Sequence, residues 1–444
     1  MRKEIIVRTS IVSFIKINDM PNNRREFLKL AGLTGIGFTG AGMIEGLAAG
    51  QGHQEGTSSG LKNNANVSII GLYGEWANSL NGNKLPSFSF RKDGWKNIDS
   101  WRKAARDRAL ERLAVPDIGG MAKVTVKNKH EYDGLQIEHL SWELPYGRPT
   151  EAILLKRANA RGKMPAVLAF HDHGGNKYFG HQKITRTSDD QHPMMKDHQQ
   201  TYYSGRAWAN ELAKRGYVVL VPDAFAFGSR RVMFEDTPAH LNKGRTDNEA
   251  DKPENIKSYN DWASAHEHIM SKSLFCAGTT WPGVFLAEDM KALDILCARQ
   301  DVDAKRVGCA GLSGGGLRTA YLGGIDPRIS CAVDVGFMST WTDFLLNKSY
   351  THTWMTYVPL LPNELDFPEI LGLRVPLPTL VLNDSDDTLY TLPEMQRAEV
   401  ILKEVYKKAD AEHRFKCSFY PGPHKFDAAM QDEAFGWFDQ WLRG

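Results

Sequence analysis

The chain is expected to fold as a doubly wound, mostly parallel α/β sheet flanked by helices, and three observations predict this. Apolar segments of strand type recur from residue 122 to residue 421, and several are nearly continuous apolar runs. Such runs belong to strands covered on both faces. Segments of helical periodicity separate most of them, and alternating strands and helices are what a parallel crossover topology requires. Lastly, a serine among glycines, Gly311-Leu312-Ser313-Gly314-Gly315, falls directly between a strand-type and a helix-type segment.

Taken in order, the first segment precedes the folded part. Arg24 and Arg25 are followed by Phe27, Leu28 and Lys29, then by a mildly apolar, glycine-rich stretch that ends in small residues at Gly50. This pattern is that of a twin-arginine export signal over residues 1–50, with Met20 as the expected true start. Glu45 and the many glycines make a poor amphipathic helix, and the stretch is too short to span a bilayer unaided. An exported protein, periplasmic or extracellular, is expected, with the twin-arginine export machinery as a partner and no integral membrane segment after signal removal. Residues 51–66 are polar and glycine-rich and read as a linker. The folded domain is expected over residues 67–444.

Its first part, residues 67–119, reads as a helical extension, because residues 98–115 place Trp101, Ala105, Leu110 and Leu113 among charges and then meet Pro116. Five strand segments follow: AKVTVKN, LQIEHLSWEL, EAILLKR, PAVLAFHDH and YVVLVPDAF. RVGCAGLS leads into the serine, and ISCAVDVGF, PTLVLND and FKCSFYP come after it. The helical segments are GRAWANELAKRG, VFLAEDMKALDILCARQ, GGLRTAYLGGI, PEMQRAEVILKEVYKKA and DEAFGWFDQWL. Three stretches interrupt the alternation, near 176–203, 229–283 and 338–376, and are expected to form walls or a lid over a cleft.

Composition narrows the partners. Lys plus Arg number 55 against 53 Asp plus Glu, a net charge of +2 that gives no electrostatic case for nucleic acid or an acidic membrane surface. Five widely spaced cysteines without a C-x-x-C pair imply neither a disulfide framework nor a zinc motif. His171, Asp172, His173, His181, His192 and His198 crowd into 28 residues, yet their spacing matches no compact zinc pattern. No metal and no other cofactor is expected, and His171 and Asp172 are expected to fasten their loop.

The serine segment matches G-x-S-x-G in the strand-to-helix setting that this motif requires. A turn that tight leaves no room for Cβ atoms at Gly311 or Gly315 and puts Ser313 Oγ at a helix N-terminus. A serine hydroxyl needs a base to take its proton and an acid to orient the base. Downstream of Ser313 stand only His352, His413 and His424, and of these His424 alone follows a late strand, in the loop PGPHKF. The acid is sought among Asp384, Asp386 and Asp387, with Asp387 preferred because the first two fall in the tight turn after a strand. The backbone N–H groups of Gly314 and His173 are the expected oxyanion donors, Gly174 and Gly175 giving the second loop room to approach.

From about residue 120 onward the chain resembles the α/β-hydrolase superfamily, within it the dienelactone-hydrolase-like and acetyl-xylan-esterase-like branch. FHDHGGNKYFG, VPDAFAFGSR, GLSGGGLRTAYLGGIDPRI and PGPHKFD carry that resemblance. Dienelactone hydrolases proper have a cysteine nucleophile, whereas this elbow holds Ser313, which points to ordinary esters. The resemblance implies acyl transfer through an acyl-enzyme, on a small-molecule or oligosaccharide ester such as an acylated polysaccharide fragment. Trp281, Trp341 and Trp354, with Trp262, are candidate sugar-stacking residues. Two other readings stay open: a serine peptidase, and a non-catalytic binding protein that keeps the fold.

Overall fold

The computed structural model describes residues 68–81 and 84–443. The expected export signal and the linker lie outside the described residues. Nine strands build one sheet: β1 (Val124–Tyr132), β2 (Leu135–Trp142), β3 (Thr150–Arg157), β4 (Met164–Phe170), β5 (Val218–Pro222), β6 (Val302–Leu312), β7 (Ile329–Val335), β8 (Thr379–Asp384) and β9 (Phe415–Tyr420). Their order across the sheet is β1-β2-β3-β5-β4-β6-β7-β8-β9. β1, β2, β3 and β5 pair antiparallel, and from β5 onward every pairing is parallel. Each strand overlaps one of the apolar segments read from the sequence.

The apolar runs have the expected cause. Along β4, Ala166, Leu168 and Phe170 pack into one core while Val167 and Ala169 pack into another on the opposite face. Strand geometry sends alternate side chains to opposite faces, so a strand buried on both must be apolar throughout. One face is covered by the helices Ile98–Leu113, Trp281–Cys297, Gly314–Ile325 and Leu392–Lys408, which supply Trp101, Phe285, Leu317 and Leu402 to the first core. The helices Trp208–Lys214 and Ala428–Phe438 cover the other with Trp208, Leu212, Phe435 and Phe438.

The three insertions are not plain loops. The first holds a helix at Pro193–Tyr203, the third several short turns and a helix at Phe367–Gly372, and the second a helix of 24 residues, Pro253–Cys276. Sequence pattern missed this last helix because its inner face mixes Ile256, Tyr259 and Ala263 with Asn260, His266, Glu267 and Ser271, all buried. Its polar side chains answer partners on the insertion's neighbours instead of an apolar core.

Candidate active site

β6 ends at Leu312 and the helix Gly314–Ile325 starts one residue after Ser313. Ser313 itself has φ 59° and ψ −115°, a left-handed conformation that strains any residue bearing a Cβ. The tightness behind it is measurable. A Cβ on Gly311 would lie 2.6 Å from the Phe170 carbonyl oxygen, and one on Gly315 would lie 2.5 Å from that same oxygen. Real Cβ atoms do not approach so closely, so glycine is required at both positions.

Ser313, Gly314, His173 and His424 line one cleft of about 310 Å³ above the carboxyl ends of the strands. His424 follows β9, and its Nδ1 donates to Asp387 Oδ2 at 2.6 Å. Asp387 Oδ1 is itself held by the Leu389 N–H at 2.9 Å, which fixes the carboxylate. With Nδ1 as the donor, Nε2 of the neutral ring is left with its lone pair. Asp384 and Asp386 do other work: Asp384 Oδ2 accepts the Lys425 N–H at 2.9 Å, and Asp386 Oδ2 accepts the Gly422 N–H at 2.8 Å. Both brace the loop that carries His424.

Asp384 nevertheless stays close. Ligand atoms of Asp384, Asp387 and His424 lie within 4.8 Å of one another, and Asp384 Oδ1 is buried without a hydrogen-bond partner. Burial raises the Asp384 carboxyl to about 7, against the Lys425 hydrogen bond, which lowers it.

Across the cleft, the His173 backbone nitrogen approaches Gly314. A Cβ built on Gly314 would lie 3.1 Å from it. Neither the His173 N–H nor the Gly314 N–H is taken by another backbone group among the described residues. The loop is fastened by buried side chains. His171 Nδ1 donates to the Asp172 carbonyl at 3.0 Å, and His171 Nε2 accepts the Ala224 N–H at 3.2 Å. Burial lowers that ring to about 3, so it stays neutral. The Asp172 carboxylate accepts from His198 Nε2 at 3.1 Å and from the Tyr203 hydroxyl, and these partners with nearby Lys183 hold its pKa well below the usual range despite burial. His181 instead binds Asp223 at 2.9 Å, so the crowded histidines divide among several hydrogen-bonded pairs.

No family model matches the chain. YtaP of Bacillus subtilis (strain 168), described as a candidate hydrolase, is 25% identical over 345 residues, which is 77% of this chain and 100% of that protein. A solved Bacteroides fragilis structure described as a candidate acetyl xylan esterase superposes with a TM-score of 0.59 at 17% identity, covering 78% of this chain and 81% of that one. A glucuronoyl esterase from Solibacter usitatus gives 0.53 at 15%, covering 81% and 98%. The fold is that of the α/β-hydrolases.

Within this fold, the tryptophans expected at the substrate are mostly elsewhere. Trp281, 1% exposed, is a core residue packed edge-on against Phe225, and it does not line the cleft. Trp341, 6% exposed, packs against Phe367 at a tilt of 32° and gives its indole N–H to the Leu365 carbonyl. Trp262 sits in a separate cluster with Phe234 and Tyr259. All three follow the ordinary tendency of large aromatics to be buried. Trp354 alone is exposed, at 41%, between Thr353 and Met355 of the cleft wall. The cleft draws on residues that the sequence did not single out, among them Tyr202, Phe337, Met355 and Tyr390, and on His352, which was passed over as the base. Their segments carry no motif; only the topology gathers them.

Proposed function

We propose that this α/β-hydrolase is a serine carboxylic-ester hydrolase working through an acyl-enzyme, with a small acyl group on a neutral carbohydrate as its substrate class. The observation that carries this reading is the meeting in one cleft of three things: a strained, elbow-borne Ser313, the ordered His424–Asp387 pair, and two unengaged backbone amides. Ser313 Oγ attacks the ester carbonyl while His424 Nε2 takes its proton. The carbonyl oxygen, now negative, receives the N–H groups of Gly314 and His173. Asp387 stabilises the imidazolium without being protonated. Collapse breaks the bond to the alcohol, which leaves with the proton from His424. A water deprotonated by the same ring then releases the acid and regenerates Ser313.

The cleft wall argues for a neutral substrate. It holds Asp172 and the hydroxyls of Thr351, Thr353 and Thr356, with no Lys or Arg among its lining residues. An anionic sugar would find no compensating cation on that wall, and the Asp172 carboxylate is buried and already bonded to His198 and Tyr203. Trp354, exposed and flanked in the chain by the lining residues Thr353 and Met355, is the one candidate tryptophan left for sugar stacking.

The test is hydrolysis of p-nitrophenyl acetate and longer acyl esters, compared with Ser313→Ala. Acetate cleaved fastest, with a loss of about 10⁴ or more in the variant, is the expected result. Wild-type protein inert to every ester and unlabelled by a fluorophosphonate at Ser313 would leave the non-catalytic binding protein as the surviving reading. Release of amines from peptide amides in preference to esters would favour the peptidase.

A further inference from the structure

We infer that Lys183 is the positioning residue of the oxyanion hole: its ammonium clamps the carbonyl oxygens of Asp172 and His173 and thereby turns the His173 N–H into the cleft. This inference rests on the esterase reading above and adds a residue that no motif marks. Lys183 closes the short turn His181–Lys183 and is 0% exposed. Lysine is almost never fully buried without partners, so the partners explain it.

Those partners are backbone oxygens. Lys183 Nζ donates to the Asp172 carbonyl at 2.7 Å and to the His173 carbonyl at 2.8 Å. The Asp172–His173 peptide is trans, and in a trans peptide the C=O and the next N–H point in opposite directions. Drawing the Asp172 oxygen inward to Lys183 therefore sends the His173 N–H outward, to the side where Gly314 lies. Without the clamp the Asp172 oxygen would keep only the neutral His171 Nδ1–H at 3.0 Å and the His173 oxygen only the Asn176 N–H at 3.0 Å, and the peptide, followed by Gly174 and Gly175 at positive φ, would be freer to turn its N–H away from the oxyanion.

The surroundings keep the amine in place and set its charge. The Asp172 carboxylate lies 3.8 Å from Nζ, and the Phe227 ring face lies 5.0 Å from it. Lys177, itself paired with Glu267, and Asp223 after β5 are the other charged groups that act on it, and neutral His171 lies on the same loop. Burial lowers the Lys183 ammonium to about 8, opposed by Asp172. Below that value the clamp is charged, and above it both hydrogen bonds lose their charge assistance.

The experiment measures kcat and KM on p-nitrophenyl acetate for the full chain, Lys183→Met and Asp172→Asn, each rate divided by the sites titrated with fluorophosphonate. Lys183→Met is expected to lose about 10² in kcat per titrated site, with KM changed by less than about threefold. A lysine with a merely structural part would reduce the number of titratable sites and leave the rate per site intact, which would overturn the inference. The pH profile supplies an independent readout if Lys183→Met does not fold. Wild-type kcat, corrected for spontaneous hydrolysis, should fall as pH rises through about 8, and Asp172→Asn should move that fall to lower pH by removing the carboxylate that stabilises the ammonium. A flat wild-type profile to about pH 10, or a limb that Asp172→Asn leaves in place, refutes the clamp. Failure of the esterase reading looks different, since wild-type protein would then show no turnover at all.

Discussion

At the residue scale, Asp384 and Asp387 show why two carboxylates three positions apart have unequal parts. Asp387 faces the ring of His424, whereas Asp384 faces the backbone of the next residue, Lys425. Asp387→Asn should therefore cost about 10⁴ in kcat, by presenting an amide to Nδ1 and favouring the wrong tautomer. Asp384→Asn keeps an oxygen for the Lys425 N–H and should cost far less activity. Its signature lies in stability. Because the folded-state pKa of Asp384 is raised to about 7 from an unfolded value near 3.9, ionisation is penalised only in the folded state. That penalty is absent below about pH 4, grows as pH rises, and is complete above about pH 7. The melting temperature of Asp384→Asn relative to wild type should rise across that window and level off beyond it, and a difference that is constant with pH would contradict the assignment. Ser313 and His424 were legible in the sequence because a nucleophile elbow and a histidine after a late strand have local signatures. The choice among Asp384, Asp386 and Asp387 rested only on turn chemistry, and Lys183 had no local signature, since its partners are carbonyls ten and eleven residues away.

At the scale of elements, the second insertion shows how a helix unreadable from its pattern can still be required by the site. Glu267, on the helix Pro253–Cys276, accepts from His173 Nε2 at 3.1 Å and from the Lys177 ammonium, and its other oxygen accepts the Trp354 N–H at 3.2 Å. One carboxylate thus ties together the loop after β4, the insertion helix and the cleft wall near Trp354. The helix escaped the sequence reading because this inward face is polar, so hydrophobic periodicity weakens where the element does its work. Glu267→Gln should destabilise the fold by about 3 kcal/mol or more, since it leaves buried Lys177 without its counter-ion. The pH dependence follows from His173 and Lys177 holding the Glu267 carboxyl down at about 2, against burial. Its contribution is fully present above the unfolded value near 4.3 and is lost as pH falls through about 2. Urea unfolding at about pH 7 and about pH 3 should show the variant's deficit shrinking at the lower pH, and an equal deficit at both would remove Glu267 from the buried ion pair.

At the scale of the whole molecule, the sheet was the most legible feature because its physical cause is repeated. Strands β4, β5, β7 and β8 and the second half of β6, from Val307, are buried on both faces, and each must announce itself as an apolar run. The tryptophans misled for the complementary reason: their type signals burial at least as strongly as sugar stacking, and only the packed fold tells Trp281 from Trp354. All nine strands and every residue of the candidate triad lie beyond residue 123. No helix among the described residues is long and apolar enough to cross a membrane. Export and catalysis should therefore be separable along the chain. A protein beginning at residue 67 is expected to keep kcat within about twofold of the full chain, since the elbow, the His424 loop and the oxyanion loop all keep their supports. Replacing Arg24 and Arg25 with lysines in the full chain should leave that activity intact while retaining it inside the cell, because lysine keeps the charge but lacks the planar guanidinium. Fractionation of cells expressing the unaltered full chain or its lysine variant decides the matter. Equal extracytoplasmic activity from the two would show that the arginine pair does not direct export, whereas loss of activity in the shortened chain would show that the first residues help to build the enzyme itself.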